Sequence, residues 1–79
     1  MEGLQRMLDS ITYIEQNLDN DLFIDEIASQ ACMSRFHFQR MFTMLTDYTV
    51  SEYIRNRRIT LATQELVNAD AKVIDVALK

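Results

Sequence analysis

Apolar positions recur at helical spacing along almost the whole chain. Leu4, Met7, Leu8, Ile11, Ile14 and Leu18 keep the three-and-four rhythm of one helix face, predicting a first helix over roughly residues 4–18. Asp19, Asn20 and Asp21 end it and turn the chain. Ile24, Ile27, Ala28 and Ala31 mark a short second helix, with Asp25 and Glu26 in its first turn, where carboxylates suit the helix dipole. Phe23 stands where a capping Ser or Asp is expected, so that cap is missing unless Asp21 serves a slightly earlier start. Ser34 offers a hydroxyl to cap a third helix, whose inward side reads Phe38, Met41, Phe42 and Leu45. Thr46 to Thr49 form a turn in which Asp47 takes the left-handed conformation. Thr49-Val50-Ser51-Glu52 is then a capping box opening a long fourth helix, to about residue 67. Its inward side is predicted to be Tyr53, Ile54, Ile59, Leu61, Ala62 and Leu66. Asn68-Ala69-Asp70-Ala71 reads as the end of that helix, and 73–79 as the opening of another amphipathic one with Ile74, Ala77 and Leu78 set for burial. A pattern that stops after two turns suggests a truncated domain.

No segment alternates as a strand would, and one Gly (Gly3) with no Pro leaves little to break helices or build hairpins. The fold class is therefore all-α, a small helical bundle. Within it, about three residues separate the second and third helices, too few for antiparallel packing, so the two cross steeply. Residues 24–45 thus form a helix-turn-helix in a homeodomain-like bundle, an arrangement that drives the second helix of the pair into a DNA major groove. Cys32 falls where such a turn commonly uses Gly to reach a positive φ, at a cost of about 1 kcal/mol for a residue with a Cβ. The outer face of the third helix carries Arg35, Phe36, Gln39 and Arg40. Arginine grips guanine O6 and N7 with two hydrogen bonds, glutamine does the same for adenine N6 and N7, and an apolar ring rests on a thymine methyl. The bland alternative is a solvated face with one stray Phe.

Size and charge constrain this picture. Seventy-nine residues make one small domain whose core is marginal without a disulfide or a metal. The formal charge of −4 argues against a DNA binder until its distribution is read. Residues 1–34 set Arg6 against seven carboxylates, whereas residues 35–58 set Arg35, Arg40, Arg55, Arg57 and Arg58 against Asp47 and Glu52. The positive charge lies with the candidate reading helix, and a local patch is what phosphate contact requires. Arg55, Arg57 and Arg58, near the start of the fourth helix, are candidate phosphate ligands, with ordinary helix surface as the alternative. No apolar run is long enough to span a bilayer, no signal-peptide pattern is present, and the lone Cys32 fits a reducing cytoplasm. Cys32 and His37 are only two candidate zinc ligands, which do not make a site.

The order of these features resembles the DNA-binding region of bacterial transcription regulators of the AraC/XylS type. Tyr13-Ile14, Leu22, Ile27-Ala28, the run Ser34-Arg35-Phe36-His37-Phe38-Gln39-Arg40-Met41-Phe42, then Glu52-Tyr53-Ile54-Arg55 and Arg58-Ile59, carry the likeness through Ala62 and Leu66. Ile74-Asp75-Val76-Ala77 would open a second helix-turn-helix. The resemblance implies two helix-turn-helix units joined by the long helix, each reading one of two successive major grooves. It places Phe36, Gln39 and Arg40 at base-reading positions and Arg35 near the backbone, and turns His37 partly inward. It also implies double-stranded DNA as partner, RNA polymerase as a second one, no cofactor, and an effector bound outside this stretch. Phe23, Cys32, Asp47 and Val50 depart from the family pattern, and since all four are local conformational preferences they bear on stability more than on function. The second reading helix is absent from the chain, so weak DNA binding of low specificity is expected.

Two other classes of function compete. A helical protein-interaction module would use Met33, Met41 and Met44 as an adaptable surface, although helical spacing makes core packing the commoner role for them. An enzyme finds no nucleophile–base pairing or ligand cluster above chance. Exposed arginines beside Gln39 favour DNA, since a protein-binding helix would place apolar anchors there.

Overall fold

The described residues form four helices in chain order: α1 (Glu2–Gln16), α2 (Ile24–Gln30), α3 (Arg35–Thr46) and α4 (Val50–Leu78). The computed structural model describes the backbone of residues 2–78 and the side chains of residues 2–68. The core joins Met7 and Ile14 of α1, Leu18 after it, Ile27, Ala28 and Ala31 from α2 and its end, Phe38 and Phe42 of α3, and Val50 and Ile54 of α4. Phe38 and Phe42 are fully buried. Their rings lie 5.8 Å apart, and Phe42 meets Tyr53 edge-on at 5.5 Å. The edge-on contact of Phe42 with Tyr53 ties α3 to α4 beyond what buried area alone supplies.

The first helix is buried along a narrower line than its pattern predicts. Met7, Ser10 and Ile14 are buried, while Leu4 and Leu8 are about half exposed. Leu8 stands about 100° around the helix from Met7, and Leu4 lies in the first turn, beyond the reach of a small bundle. Ser10, the one buried polar side chain among the described residues, donates to the Met7 carbonyl at 2.6 Å and so leaves no orphan group in the core. The helix stops at Gln16 rather than residue 18, and Leu18 enters the core from the turn that follows.

The helix ends are held as their residues dictate. Phe23 makes no side-chain cap, and α2 starts on the bond from the Ile27 N–H to the Phe23 carbonyl. At the other end Met33 N–H reaches the Ala28 carbonyl and Cys32 N–H the Ser29 carbonyl, with Cys32 at φ 56°. That pair of bonds is the Schellman motif, which requires a left-handed residue at this place. Ser34 Oγ accepts from the His37 N–H at 3.2 Å and starts α3, which ends on Asp47 at φ 65°. Thr49 and Glu52 complete the expected capping box reciprocally, at 2.9 and 3.1 Å.

Three expectations about apolar residues and helix length are corrected. Leu45, placed inward by its spacing, is 55% exposed because α3 has passed the core by its last turn. Ile59, Ala62 and Leu66 are exposed rather than inward, since α4 runs out beyond the other three helices and only its first turns enter the core. The break predicted at 68–71 does not occur: the backbone of α4 stays helical through Leu78. Ala69 and Ala71 are strong helix formers, and no Gly or Pro intervenes. The predicted burial of Ile74, Ala77 and Leu78 lies outside the described side chains.

Candidate nucleic-acid interface

The two sides of α3 differ completely. One is sealed into the core through Phe38 and Phe42, with Met41 half-buried beside them. The other presents Arg35, Phe36, Gln39 and Arg40, all exposed, with the Phe36 ring 74% accessible. Counting about 100° per residue, Phe36, Gln39 and Arg40 fall within an arc of about 100°. Among the described residues, the side chains of Arg35, Gln39 and Arg40 enter no hydrogen bond or ion pair within the chain. The phenyl ring and the solvated donors beside it form one face that no part of the described chain covers. The start of α3, closed by Ser34, carries the positive end of the helix dipole on this same side.

The arginines of α4 divide. Arg57 is drawn onto α1, where its guanidinium forks onto the Glu15 carboxylate with three contacts of 2.8–3.1 Å. Tyr53 Oη donates to the same carboxylate at 3.0 Å. Arg58 donates to the Leu18 carbonyl at 3.0 Å and the Asn20 carbonyl at 2.8 Å, both in the turn that follows α1. By sequence both are candidates for phosphate contact or plain helix surface; in the structure both tie α1 and the turn after it to α4. Arg55 carries no such tie and lines a shallow groove of about 330 Å³ with Leu22, Ile24, Ser51 and Ile54. Arg35, Arg40 and Arg55 are thus the arginines of residues 35–58 left without an intramolecular hydrogen bond or ion pair among the described residues.

Ionisation follows the same geometry. The hydrogen bond from Arg57 chiefly, with help from Tyr53, holds the Glu15 carboxyl below its usual value against a smaller opposing effect of burial. Arg57 is raised in turn, mainly by Glu15. Tyr53 is raised by burial first and by the neighbouring carboxylate second. This cluster joins residues about forty positions apart, and no local pattern announces it. Its one sequence clue is a carboxylate on the face of α1 adjoining Ile14.

His37 is exposed rather than turned partly inward, and its backbone N–H, not its ring, is used, at the Ser34 cap. Cys32 is exposed in the turn. No group of three or more His, Cys, Asp or Glu side chains that could hold a metal ion occurs among the described residues.

A short helix, the connection 31–34, and a second helix with one side buried and the other offering cations, an amide and a ring define a helix-turn-helix unit. A family model for a helix-turn-helix domain matches residues 27–79. Over 69 residues the chain is 42% identical to the HTH-type transcriptional activator AarP of Providencia stuartii, covering 87% of this chain and 51% of that protein. It is 39% identical over 71 residues to the Tn10 TetD protein of Escherichia coli, covering 90% and 51%. It is 37% identical over 70 residues to the regulatory protein SoxS of Escherichia coli K12, covering 89% and 65%. No solved structure gives a significant match. The chain belongs to the AraC-type helix-turn-helix family. It spans about half the length of two of these relatives and just under two thirds of the third.

Proposed function

We propose that this chain is the DNA-reading part of a bacterial transcription regulator that inserts α3 into a major groove. The observation that carries this reading is the exposed Phe36–Gln39–Arg40 face standing opposite the fully buried Phe38–Phe42 pair. In that pose Arg40 grips a guanine, Gln39 an adenine, and the Phe36 ring rests on a thymine methyl. Arg35 and Arg55 neutralise phosphates, which fix the register of the helix without reading sequence. RNA polymerase is the protein partner and the cytoplasm the compartment implied for a bacterial activator. Among the described residues no helix is long and apolar enough to cross a membrane. That residues 73–79 lead into a second reading unit is proposed on the family resemblance alone.

The test is selection of duplexes from a random library, followed by titration of the winning site. Arg40→Ala or Gln39→Ala is expected to cost about 1–3 kcal/mol and to relax preference at one base pair. Equal loss on every duplex would place these side chains on phosphate and refute base reading. One observation favours a rival protein-docking role, namely that Met44 and Leu45 are 70% and 55% exposed at the end of α3. Failure of the library to yield any preferred duplex, with Phe36→Ala harmless, would favour that rival.

A further inference from the structure

The reading face of α3 does not stop at Arg40. From Phe36, a rotation of about 100° per residue puts Gln39 about 60° to one side, Arg40 about 40° to the other, and Thr43 only about 20° away. Thr43 thus sits near the middle of the arc its three neighbours define, roughly 4.5 Å further along the axis than Arg40. It is exposed. Its hydroxyl is also uncommitted among the described residues, whereas Thr46 and Thr60 turn theirs back onto the carbonyls of Phe42 and Asn56 at 2.9 Å. The four positions follow the spacing i, i+3, i+4 and i+7 that homeodomain reading helices use for base contact.

We propose that Thr43 is a fourth specificity-determining residue, whose methyl group packs on a thymine methyl at the base step beyond the one Arg40 reads. The inference rests on the groove insertion of α3 proposed above. From Phe36 to Thr43 the helix advances about 10.5 Å, which at about 3.4 Å per base step extends the site from two steps to three. Threonine suits the place because its methyl matches a thymine methyl and its hydroxyl tolerates either a donor or an acceptor at the neighbouring edge. Met44 lies next along the helix but about 80° from Phe36, at the margin of the arc.

The experiment is library selection with the full chain at low salt, for the wild type, Thr43→Ala, Thr43→Ser, Thr43→Val and Arg40→Ala. Thr43→Ala and Thr43→Ser are expected to lose preference at a single base pair adjacent to the one Arg40→Ala relaxes, while Thr43→Val keeps it. Replacing the thymine there by uracil, which deletes only the methyl, should weaken wild-type binding roughly fourfold and leave Thr43→Ala unaffected. If Arg40→Ala relaxes its position and Thr43→Ala changes nothing, or weakens all duplexes equally, Thr43 is not a reader and the inference falls alone. If neither substitution alters the selected site, groove insertion falls with it. Position 43 is exposed and Ala is the better helix former, so folding does not confound the result.

Discussion

Replacing Cys32 by glycine should stabilise the domain, and the size of the gain follows from one dihedral angle. Cys32 holds φ at 56° because the Schellman bonds at the end of α2 require it, not because the thiol does anything there. A Cβ in that conformation costs about 1–2 kcal/mol, which glycine avoids. Glycine also widens the unfolded ensemble, offsetting about 0.4–1 kcal/mol. The net gain is about 0.5–1 kcal/mol, equivalent to roughly 2–8 °C in Tm for a domain this small. The side chain is exposed, so no packing is lost. Cys32→Ala separates the causes, since it removes the thiol and keeps the Cβ; it should stay within about 0.5 kcal/mol of wild type. The assay is thermal unfolding followed by helical circular dichroism, under reducing conditions. If glycine is no better than alanine, or alanine gains as much as glycine, the backbone argument is wrong. Asp47→Gly, at φ 65°, should gain less, because aspartate visits this region more readily than most residues.

Other predictions follow from the α1–α4 tie and the core. Glu15 has its folded pKa lowered, so its contribution is complete above the usual value of 4.5 and is lost as pH falls through the folded value. The gap in Tm between wild type and Glu15→Gln should therefore close in acid; a gap constant with pH would mean that charge is not what Glu15 supplies. Tyr53 has its folded pKa raised, so its contribution is complete below the usual 10.0 and is lost as pH rises through the folded value. Tyr53→Phe should flatten that alkaline slope in a pH series of unfolding curves. Arg57→Ala should lower Tm while leaving the salt dependence of DNA binding unchanged, whereas Arg35→Ala and Arg55→Ala should each reduce the slope by about one. A lower slope for Arg57→Ala would put that guanidinium on phosphate after all. Phe42→Ala empties the centre of the core and should cost about 3–5 kcal/mol, enough to leave much of this small domain unfolded in urea titrations at low denaturant.

What could be read directly from the residues was local. Ser34, the pair Thr49 and Glu52, and the positions of Cys32 and Asp47 each act within four or five residues of themselves, so spacing alone located their bonds and their φ angles. The outward set on α3 was equally legible, because the buried Phe38 and Phe42 fix the phase of the whole helix. Legibility failed where a side chain's fate depends on what lies opposite it. Arg57 and Arg58 look like free surface until α1 is folded against them, and their partners lie about forty residues away. Leu45, Ile59 and Leu66 carry the right period for burial but outrun the short elements that would cover them. Asn68 to Ala71 resembles a stop by composition, yet with no Gly or Pro in it the intrinsic preference of alanine prevails.

The unbroken course of α4 makes it a crankshaft. A backbone of 29 residues in one helix is about 43 Å of rod, and the far end can be aimed only by how the near end is seated. One residue inserted anywhere between Thr60 and Asn68 would swing the distal end by about 100° while lengthening the rod by only 1.5 Å or so. Four inserted residues would bring it back to within about 40°. Length is therefore forgiving in this element and phase is not, and the grip of Arg57 and Arg58 on the end of α1 sets the zero of that angle.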